Sequence, residues 1–273
     1  MARVAGKLAK KTKRRGAAVA GAMPRKAAPR GVPTRPPRAV LLRAPRVLAG
    51  LEKLYPQADC ALAHGSALEL LIATILSAQS TDANVNRVTP GLFARYPDAK
   101  ALAGAAAADM EREIHSTGFF RQKTKSVLGA CRRIVEAYGG KVPDTMEDLL
   151  TLPGVARKTA NVILGTWFRK NEGVVVDTHV GRLAHRLGLT WTSRNEKDAV
   201  RIESDLMQVL PRESWTFFGH AMIFHGRQVC TAKKPACERC LLAGDCPSAF
   251  TFPHQKRARA SRSAKKASPV RRR

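Results

Sequence analysis

The segment LPGVARKTANVIL, residues 152–164, joins two predicted helices through a tight turn, and this joint constrains the fold more than any other feature. Before it, Thr145 followed by Asp148 is typical of a helix start, and the Pro-Gly pair ending at Gly154 stops that helix. After it, four apolar residues have the spacing that buries one helix face: Ala160, Ile163, Leu164 and Trp167. The sequence therefore predicts a helical hairpin at about 145–168.

Helix signals also dominate the rest of the chain, whereas strand signals are few. The apolar segment 66–78 starts at a potential cap, Ser66, and is long enough for a buried helix. A run of valines precedes a helical pattern that Asp177 or Thr178 would cap and that Gly188 would end. Two further helices are predicted at 196–210 and 214–225. We expect an all-α fold, apart from some extended connections.

The net charge of +27 is concentrated at the two ends of the chain. Residues 1–46 contain 14 lysines and arginines, residues 253–273 contain 9, and neither segment contains an acid. Both are rich in Ala and Pro and cannot bury enough apolar surface to fold, so we expect disordered basic arms. Such arms favour a polyanionic partner, because cations that neutralise phosphates release condensed counterions. Improved solubility, or import into an organelle, are the alternatives.

The composition between the arms is that of a globular protein. The chain as a whole is 44% hydrophobic, which is enough for a proper core. No run approaches the roughly 18 apolar residues of a membrane span, and the N-terminus lacks the apolar centre of a secretory signal. We expect a soluble, intracellular protein.

Four of the six cysteines fall within one short stretch near the C-terminal end: Cys230, Cys237, Cys240 and Cys246. Disulfides are disfavoured in a reducing compartment, and four thiolates suit either a tetrahedral zinc ion or an iron–sulfur cluster. The spacing alone favours zinc. Four unrelated buried thiols are a weaker alternative at this density.

Five motifs occur in order between about residues 50 and 247: LSAQSTD, TGFFRQK, LPGVARKTANVIL, VDTHVGRL and the cysteine spacing. Together they resemble the helix-hairpin-helix DNA glycosylases of the endonuclease III family. In that family the cysteine loop holds a [4Fe-4S] cluster, so the resemblance implies an iron–sulfur cluster on the four cysteines instead of zinc. The family's cluster is structural and is not the hydrolytic centre.

The resemblance implies two all-α domains that flank a DNA-binding cleft. A six-helix domain would span residues 60–171 and end in the hairpin. A discontinuous cluster domain would combine residues 47–59 with residues 172–252. The basic arms, 1–46 and 253–273, lie outside the resemblance.

Lys158 matches the lysine that, in this family, attacks C1′ of the damaged nucleotide, displaces the base and forms a Schiff base before β-elimination. The attack needs the neutral amine, which burial and the positive helix end would favour and a nearby carboxylate would oppose. Asp177 matches the residue that activates the lysine or stabilises the cationic sugar. A solvated charge is the alternative for Lys158 and a helix cap for Asp177, although capping and catalysis can coexist.

By position, Gln79 and Phe119 match the residues that fill the gap left by an extruded base, although leucine is common at the second position. The alternatives are a buried amide for Gln79 and a core aromatic for Phe119. Ala156 stands where a second glycine is common, and costs on the order of 1 kcal/mol only if its φ is positive. The residues expected to contact DNA are Gln79, Phe119, Leu152, Gly154, Ala156, Arg157 and His179.

The function implied is a bifunctional DNA glycosylase and abasic-site lyase that removes oxidised pyrimidines in base excision repair. Its partner would be double-stranded DNA with a damaged base or an abasic site. The alternatives are an adenine mismatch glycosylase of the same superfamily, which typically lacks the lysine, and a non-catalytic iron–sulfur DNA-binding protein. We expect a monomer without a membrane partner, in the cytoplasm at a bacterial nucleoid, with an organelle or a nucleus as alternatives.

Overall fold

The computed structural model describes residues 35–255, and every regular element in this range is helical. No β-strand occurs among these residues, and the all-α prediction is confirmed. None of the helices in this range is long and apolar enough to cross a membrane.

The described residues form eleven α-helices: α1 Arg38–Leu54, α2 Ala67–Leu76, α3 Asp82–Arg95, α4 Ala99–Gly104, α5 Ala107–Ile114, α6 Phe120–Tyr138, α7 Met146–Leu149, α8 Arg157–Thr166, α9 Thr178–Arg186, α10 Ala199–Val209 and α11 Trp215–Gln228. They also contain four short 3-10 helices: His115–Thr117, Arg212–Ser214, Cys237–Arg239 and Ala243–Asp245.

Short polar side chains begin several helices at the positions expected from the sequence. At the start of α2, the Ser66 hydroxyl accepts a hydrogen bond from the Glu69 amide. At α7, the Thr145 hydroxyl accepts one from the Asp148 amide. The first amides of a helix have no partner within it, so each cap stabilises its helix by about 1 kcal/mol. Of the two caps predicted for α9, the structure uses Asp177.

Buried apolar side chains form two separate cores. The first lies among α2 to α8. The second lies among α1, α9, α10, α11 and the loop that follows α11. The extended segment 174–176 contributes to both, because its middle residue, Val175, faces the first core and its outer two valines face the second. Successive side chains of an extended segment point in opposite directions, which explains the division.

The N-terminal boundary of the fold lies earlier than predicted. We expected a disordered arm as far as residue 46, but α1 begins at Arg38. Val40 and Ala44 are buried in the second core, which stabilises this first part of the helix. Residues 1–34 lie outside the described residues, so disorder there stays a prediction.

The C-terminal arm also begins later than predicted. Gln255 is buried and its side-chain amide donates a hydrogen bond to the Pro235 carbonyl, so the chain is still packed two residues after the expected boundary at 253. The rest of that arm, residues 256–273, lies outside the described residues.

Residues 60–171 contain seven α-helices when α4 and α5 are counted separately, because extended backbone at Ala105 and Ala106 divides them. One expectation about the first core is wrong. The apolar spacing placed Trp167 on the buried face of α8, but this helix ends at Thr166 and Trp167 is 39% exposed. Helical periodicity does not decide the direction of a side chain beyond the helix end.

Polar contacts join the two cores. Glu203 on α10 is buried and accepts hydrogen bonds from Arg157 Nε, at 3.1 Å, and from Asn161 Nδ2, at 2.8 Å, both on α8. Arg227 on α11 forms an ion pair of 2.7 Å with Asp82 at the start of α3. A buried carboxylate is tolerated only when it is paired and hydrogen-bonded, so the position of α8 relative to α10 is closely specified.

The first prediction concerns the length of α1. Deleting residues 1–46 should lower the free energy of unfolding by at least about 2 kcal/mol, because it removes the buried side chains of Val40 and Ala44. Deleting residues 1–34 should change it by less than about 0.5 kcal/mol, since no described contact is lost. Urea unfolding of both truncations and the full chain measures the difference, and equal stability of the two truncations would contradict it.

Candidate active site and cysteine loop

The turn between α7 and α8 rests on a close approach that glycine permits. Gly154 has φ +80°, in the left-handed region, and a Cβ added there would lie 2.5 Å from Ser126 Cβ on α6. Pro153 packs against the same helix, where Gly129 leaves room for its ring. Because a larger residue at either glycine would push the turn away from α6, the pair determines where α8 begins.

The start of α8 has backbone donors without a capping side chain. Ala156 is the N-cap residue and makes no side-chain cap hydrogen bond. Its φ is −98°, so alanine causes no backbone strain where the family commonly has a second glycine. Unpaired amides at the positive end of a helix form a favourable site for an anion such as a phosphate.

Lys158 is the second residue of α8 and is exposed, so the burial expected for it is absent. No hydrogen bond or ion pair joins its amine to any other residue between 35 and 255. The amine is therefore available to a ligand that binds across the uncapped start of α8.

Asp177 is the half-buried N-cap of α9. Its Oδ1 accepts hydrogen bonds of 2.8 Å from the amides of His179 and Val180. No other residue in the described range donates to its Oδ2. Capping thus occupies one carboxylate oxygen and leaves the second available for chemistry.

His179 lies beside Asp177 on α9 and is oriented by Arg182. Arg182 Nη2 lies 3.2 Å from His179 Nδ1 and donates to it, which leaves the ring proton on Nε2. Burial lowers the pKa of His179, Arg182 lowers it further and Asp177 opposes both, so the ring is neutral at neutral pH. The same guanidinium donates to the carbonyls of Gly226 and Cys230 and thereby connects α9 to the cysteine loop.

Gln79 and Phe119 both stand exposed on turns with left-handed backbone. The φ angles are 53° at Gln79, after α2, and 48° at Phe119, before α6. Phe119 is 66% exposed, so it is not a core aromatic, and Gln79 is not a buried amide. A residue other than glycine costs about 1–2 kcal/mol in this region, and such strain is concentrated at functional sites.

Two residues expected to contact DNA have side chains that are buried or hydrogen-bonded within the protein, although Arg157 is exposed. Leu152 is 2% exposed and belongs to the first core, so its side chain cannot reach a ligand. Arg157 directs Nε to Glu203 and Nη2 to the Glu172 carbonyl. Its carboxylate partner is 46 residues away in the sequence, and no local pattern could have revealed the contact.

The four clustered cysteines form no disulfide and line one cavity between α9, α11 and the loop after α11. Burial raises the pKa of Cys240 to about 11, and the neighbouring Cys230, Cys246 and Cys237 add to the rise. Metal cations in the cavity would offset this repulsion between thiolates. Four cysteine sulfurs around one cavity provide the donor set of either a tetrahedral zinc ion or a [4Fe-4S] cluster.

Side chains outside the loop contact the cysteine sulfurs. Arg186 Nη1 lies 3.3 Å from Cys230 Sγ. His225 Nε2 lies 3.4 Å from Cys240 Sγ, and its Nδ1 lies 3.1 Å from the Tyr55 hydroxyl. Burial lowers the pKa of His225 to about 4, so the ring is neutral. If Cys240 is a thiolate, it can only accept, so His225 Nε2 would carry the ring proton and stabilise the thiolate charge, and the Tyr55 hydroxyl would then donate to Nδ1.

The sequence does not reveal these supporting residues. His225 has no predicted function, because a single histidine in an apolar helix has no distinguishing signal. Its place in FHGRQVC, which leads directly into Cys230, is the one local feature that could have suggested a contact with the cysteine loop. Arg182, Arg186 and Tyr55 become visible only through distances in the folded chain.

Two protein-family profiles match the chain. The profile of the HhH-GPD superfamily of base excision DNA repair proteins matches residues 72–212, which include the hairpin, Lys158 and Asp177. The profile of the iron-sulfur binding domain of endonuclease III matches residues 230–246, from the first of the four clustered cysteines to the last.

Individual relatives agree with the profiles. Endonuclease III of Synechocystis sp. is 56% identical over 207 residues, which cover 76% of this chain and 93% of the relative. Endonuclease III of Bacillus subtilis is 40% identical over 195 residues, which cover 71% and 86%. A solved structure of a trapped covalent intermediate between endonuclease III and DNA has a TM-score of 0.72 and 37% identity, and the match covers 77% of this chain and 97% of that chain.

The second prediction concerns the cysteine cavity. Cys240→Ser should lose most of the bound iron and the broad visible absorbance, because one of four thiolate ligands is removed. Iron and sulfide analysis and visible spectroscopy on anaerobically purified protein measure the loss. Cys60→Ser, at a half-buried cysteine outside the loop, is the matched control and should keep both. A colourless, zinc-loaded wild-type protein would contradict the assignment.

Proposed function

The chain belongs to the endonuclease III family within the HhH-GPD superfamily of base excision DNA repair proteins, and from this membership we propose that it removes oxidised pyrimidines through a Schiff base on Lys158. The protein is a DNA glycosylase and abasic-site lyase that carries a [4Fe-4S] cluster. The oxidised-pyrimidine substrate and the roles of individual residues are our proposal.

One observation supports the role of Lys158 above all others. Its amine has no partner within residues 35–255, and it stands one residue after the start of an uncapped helix. A phosphate bound by the first amides of α8 would bring the neighbouring sugar to this amine. A solvated surface lysine would also lack a partner, so the position of Lys158 at the uncapped start of α8 carries the inference.

The proposed chemistry starts with the amine. The Nζ lone pair attacks C1′, the bond from C1′ to the base breaks, and the amine proton is available to the departing base. The sugar ring then opens to give a Schiff base. C2′ loses a proton and the C3′–O bond breaks, so the strand is cut on the 3′ side with the phosphate as leaving group. Water hydrolyses the imine and restores the free lysine.

Asp177 is proposed to stabilise the positive charge that develops on the sugar as the base leaves. Its Oδ2 has no hydrogen-bond donor within residues 35–255, and the Oδ1 cap holds the carboxylate in one orientation. A preoriented charge needs no reorganisation at the moment of reaction, and this is the main source of its effect.

Double-stranded DNA with a damaged base or an abasic site is the proposed partner. An enzyme that acts on a base in a duplex must extrude it, and the gap must be filled. The exposed, left-handed turns at Gln79 and Phe119 suit this task, because strained backbone holds each side chain away from the protein surface. We propose that a single chain performs the reaction, since Lys158 and Asp177 belong to the same polypeptide.

The iron–sulfur cluster supplies no hydrolytic step in this proposal. When bound by Cys230, Cys237, Cys240 and Cys246, it organises the loop and offsets the charge of the thiolates. Arg182 then holds that loop to α9, the helix that Asp177 caps.

Neither alternative function is favoured. Family membership assigns glycosylase and lyase activity, so the non-catalytic DNA-binding protein is set aside. The adenine mismatch glycosylase would not need the free amine of Lys158, whereas the proposed lyase reaction does.

The third prediction tests the nucleophile. Wild-type protein should form a covalent adduct with abasic-site DNA in the presence of borohydride, because reduction makes the Schiff base permanent. Lys158→Ala should abolish this adduct while keeping affinity for the same duplex within about tenfold, since most affinity comes from phosphate contacts. Lys141→Ala, at an exposed lysine outside the hairpin, is the control. An adduct that persists in Lys158→Ala would remove this lysine from the reaction.

The fourth prediction separates capping from catalysis at Asp177. Asp177→Asn should keep the cap, because asparagine accepts the same hydrogen bonds, and should change stability by less than about 0.5 kcal/mol. Single-turnover base release should fall by at least about a hundredfold, because the charge that stabilises the sugar is lost. Asp98→Asn, at the cap of α4, is the matched control and should leave base release unchanged. If Asp177→Asn and the wild type release the base at equal rates, Asp177 caps α9 and has no role in catalysis.

A further inference from the structure

We propose that Lys123 and Asn84 are positioning residues that clamp together the two turns carrying Gln79 and Phe119. The clamp would set the spacing between these side chains, so that both enter the DNA together when the damaged base leaves the stack. This inference rests on the gap-filling role proposed above and adds the means by which two separate turns act as one device.

Lys123 joins the two turns from inside the protein. It lies on α6 and is 4% exposed. Its ammonium donates to the Leu76 carbonyl at 2.7 Å and to the Thr117 carbonyl at 2.8 Å. Leu76 ends α2 three residues before Gln79, and Thr117 lies two residues before Phe119. A single cation therefore holds the bases of both turns.

Asn84 joins the same two turns from the other side. It lies in the first turn of α3 and is half-buried. Its side-chain amide donates to the Ser80 hydroxyl at 3.2 Å and to the Ser116 carbonyl at 2.8 Å. Ser80 follows Gln79 directly, and Ser116 lies in the 3-10 helix before Phe119. Two unrelated side chains thus make the same connection, which neither turn could make alone.

Backbone strain explains why the turns need such support. Gln79 and Phe119 are two of four residues other than glycine in the described range with positive φ. Each costs about 1–2 kcal/mol, and the conformation persists only where surrounding contacts determine it. Neither side chain gains stability from packing, since both are exposed. The hydrogen bonds from Lys123 and Asn84 supply contacts that packing does not.

A purely structural role does not account for Lys123. A buried ammonium has a large desolvation penalty, and an apolar side chain of similar length would fill the same space at lower cost. Carbonyl groups at the end of α2 and in the adjoining 3-10 helix could also be satisfied by water if the turns were farther apart. Because the Lys123 ammonium donates to both carbonyls at once, it fixes the distance between the two segments that carry them.

Hydrogen exchange in the free protein tests the clamp without any use of activity. Lys123→Met keeps the length of the side chain and removes the donors, and Asn84→Ala removes the second connection with little change to the core. Both should increase amide exchange at residues 77–81 and 115–119 without increasing it in α8. Lys125→Met, at an exposed lysine on the same helix, should change neither. Unchanged exchange in both turns for both clamp variants would overturn the proposal.

Base release then tests what the clamp does. For an oxidised pyrimidine paired in a duplex, each clamp variant should lower the single-turnover rate at least about tenfold, which equals about 1.4 kcal/mol in the activation free energy. For the same lesion in an unpaired bulge, where no stacked base must be replaced, the rate should fall less than about threefold. A general loss of structure would lower both rates equally, and that result would also overturn the proposal.

The two proposals can fail separately. If the wild-type protein released no oxidised pyrimidine, the proposed function would be wrong, yet the exchange measurement would still show whether the turns are clamped. If Lys123→Met does not fold, Asn84→Ala alone decides the outcome, because its side chain lies at the surface of the α3 start. Suppose Asn84→Ala folds, releases paired and bulged lesions with the wild-type ratio of rates, and shows unchanged amide exchange in the two turns. That result would refute the clamp.

Discussion

The contact between Gly154 and Ser126 determines the geometry on which the candidate active site depends. With φ +80° and no room for a Cβ, Gly154 lets the chain reverse directly against α6. The reversal sets the direction of α8, and with it the position of the uncapped amides and of Lys158. If the turn were displaced, the phosphate site and the amine would move together, because both are rigidly connected to the same helix start. The position of Lys158 therefore depends on one close approach, between Gly154 and the Ser126 side chain.

The second half of the site depends on how the chain crosses between the two cores. The valines of 174–176 alternate between them, and Asp177 follows immediately as the cap of α9. Glu203 holds α8 through Arg157 and Asn161, so the helix that carries the lysine is tied to the core that α9 belongs to. These buried polar contacts specify orientation more than they add stability, because their desolvation cost is high. An active site between two cores requires that the cores be held in one relative orientation.

Buried cations connect parts of the fold that apolar packing does not. Arg182 joins α9 to the cysteine loop, and Lys123 joins the turns at Gln79 and Phe119. Each donates to a carbonyl on a segment more than 40 residues away in the sequence, and each lies near residues with proposed roles on DNA. Such donors are costly in the interior and are retained where a distance between two segments matters. These hydrogen bonds explain how helices joined by short turns can hold several functional side chains at fixed distances from one another.

Local features were sufficient to predict the class of fold, several helix starts and the cysteine loop. Three helix starts could be predicted from a capping residue, because capping acts over only three residues: Ser66, Thr145 and Asp177. The hairpin follows from a Pro-Gly turn between two apolar patterns. Motif spacing also indicated Lys158 and the four cysteines as candidates. The sequence could not show that Leu152 is buried, that Arg157 pairs with Glu203, or that α1 starts at Arg38 because the second core covers its first turns. Those outcomes depend on contacts between residues far apart in the chain, and their geometry exists only after the two cores have packed against each other.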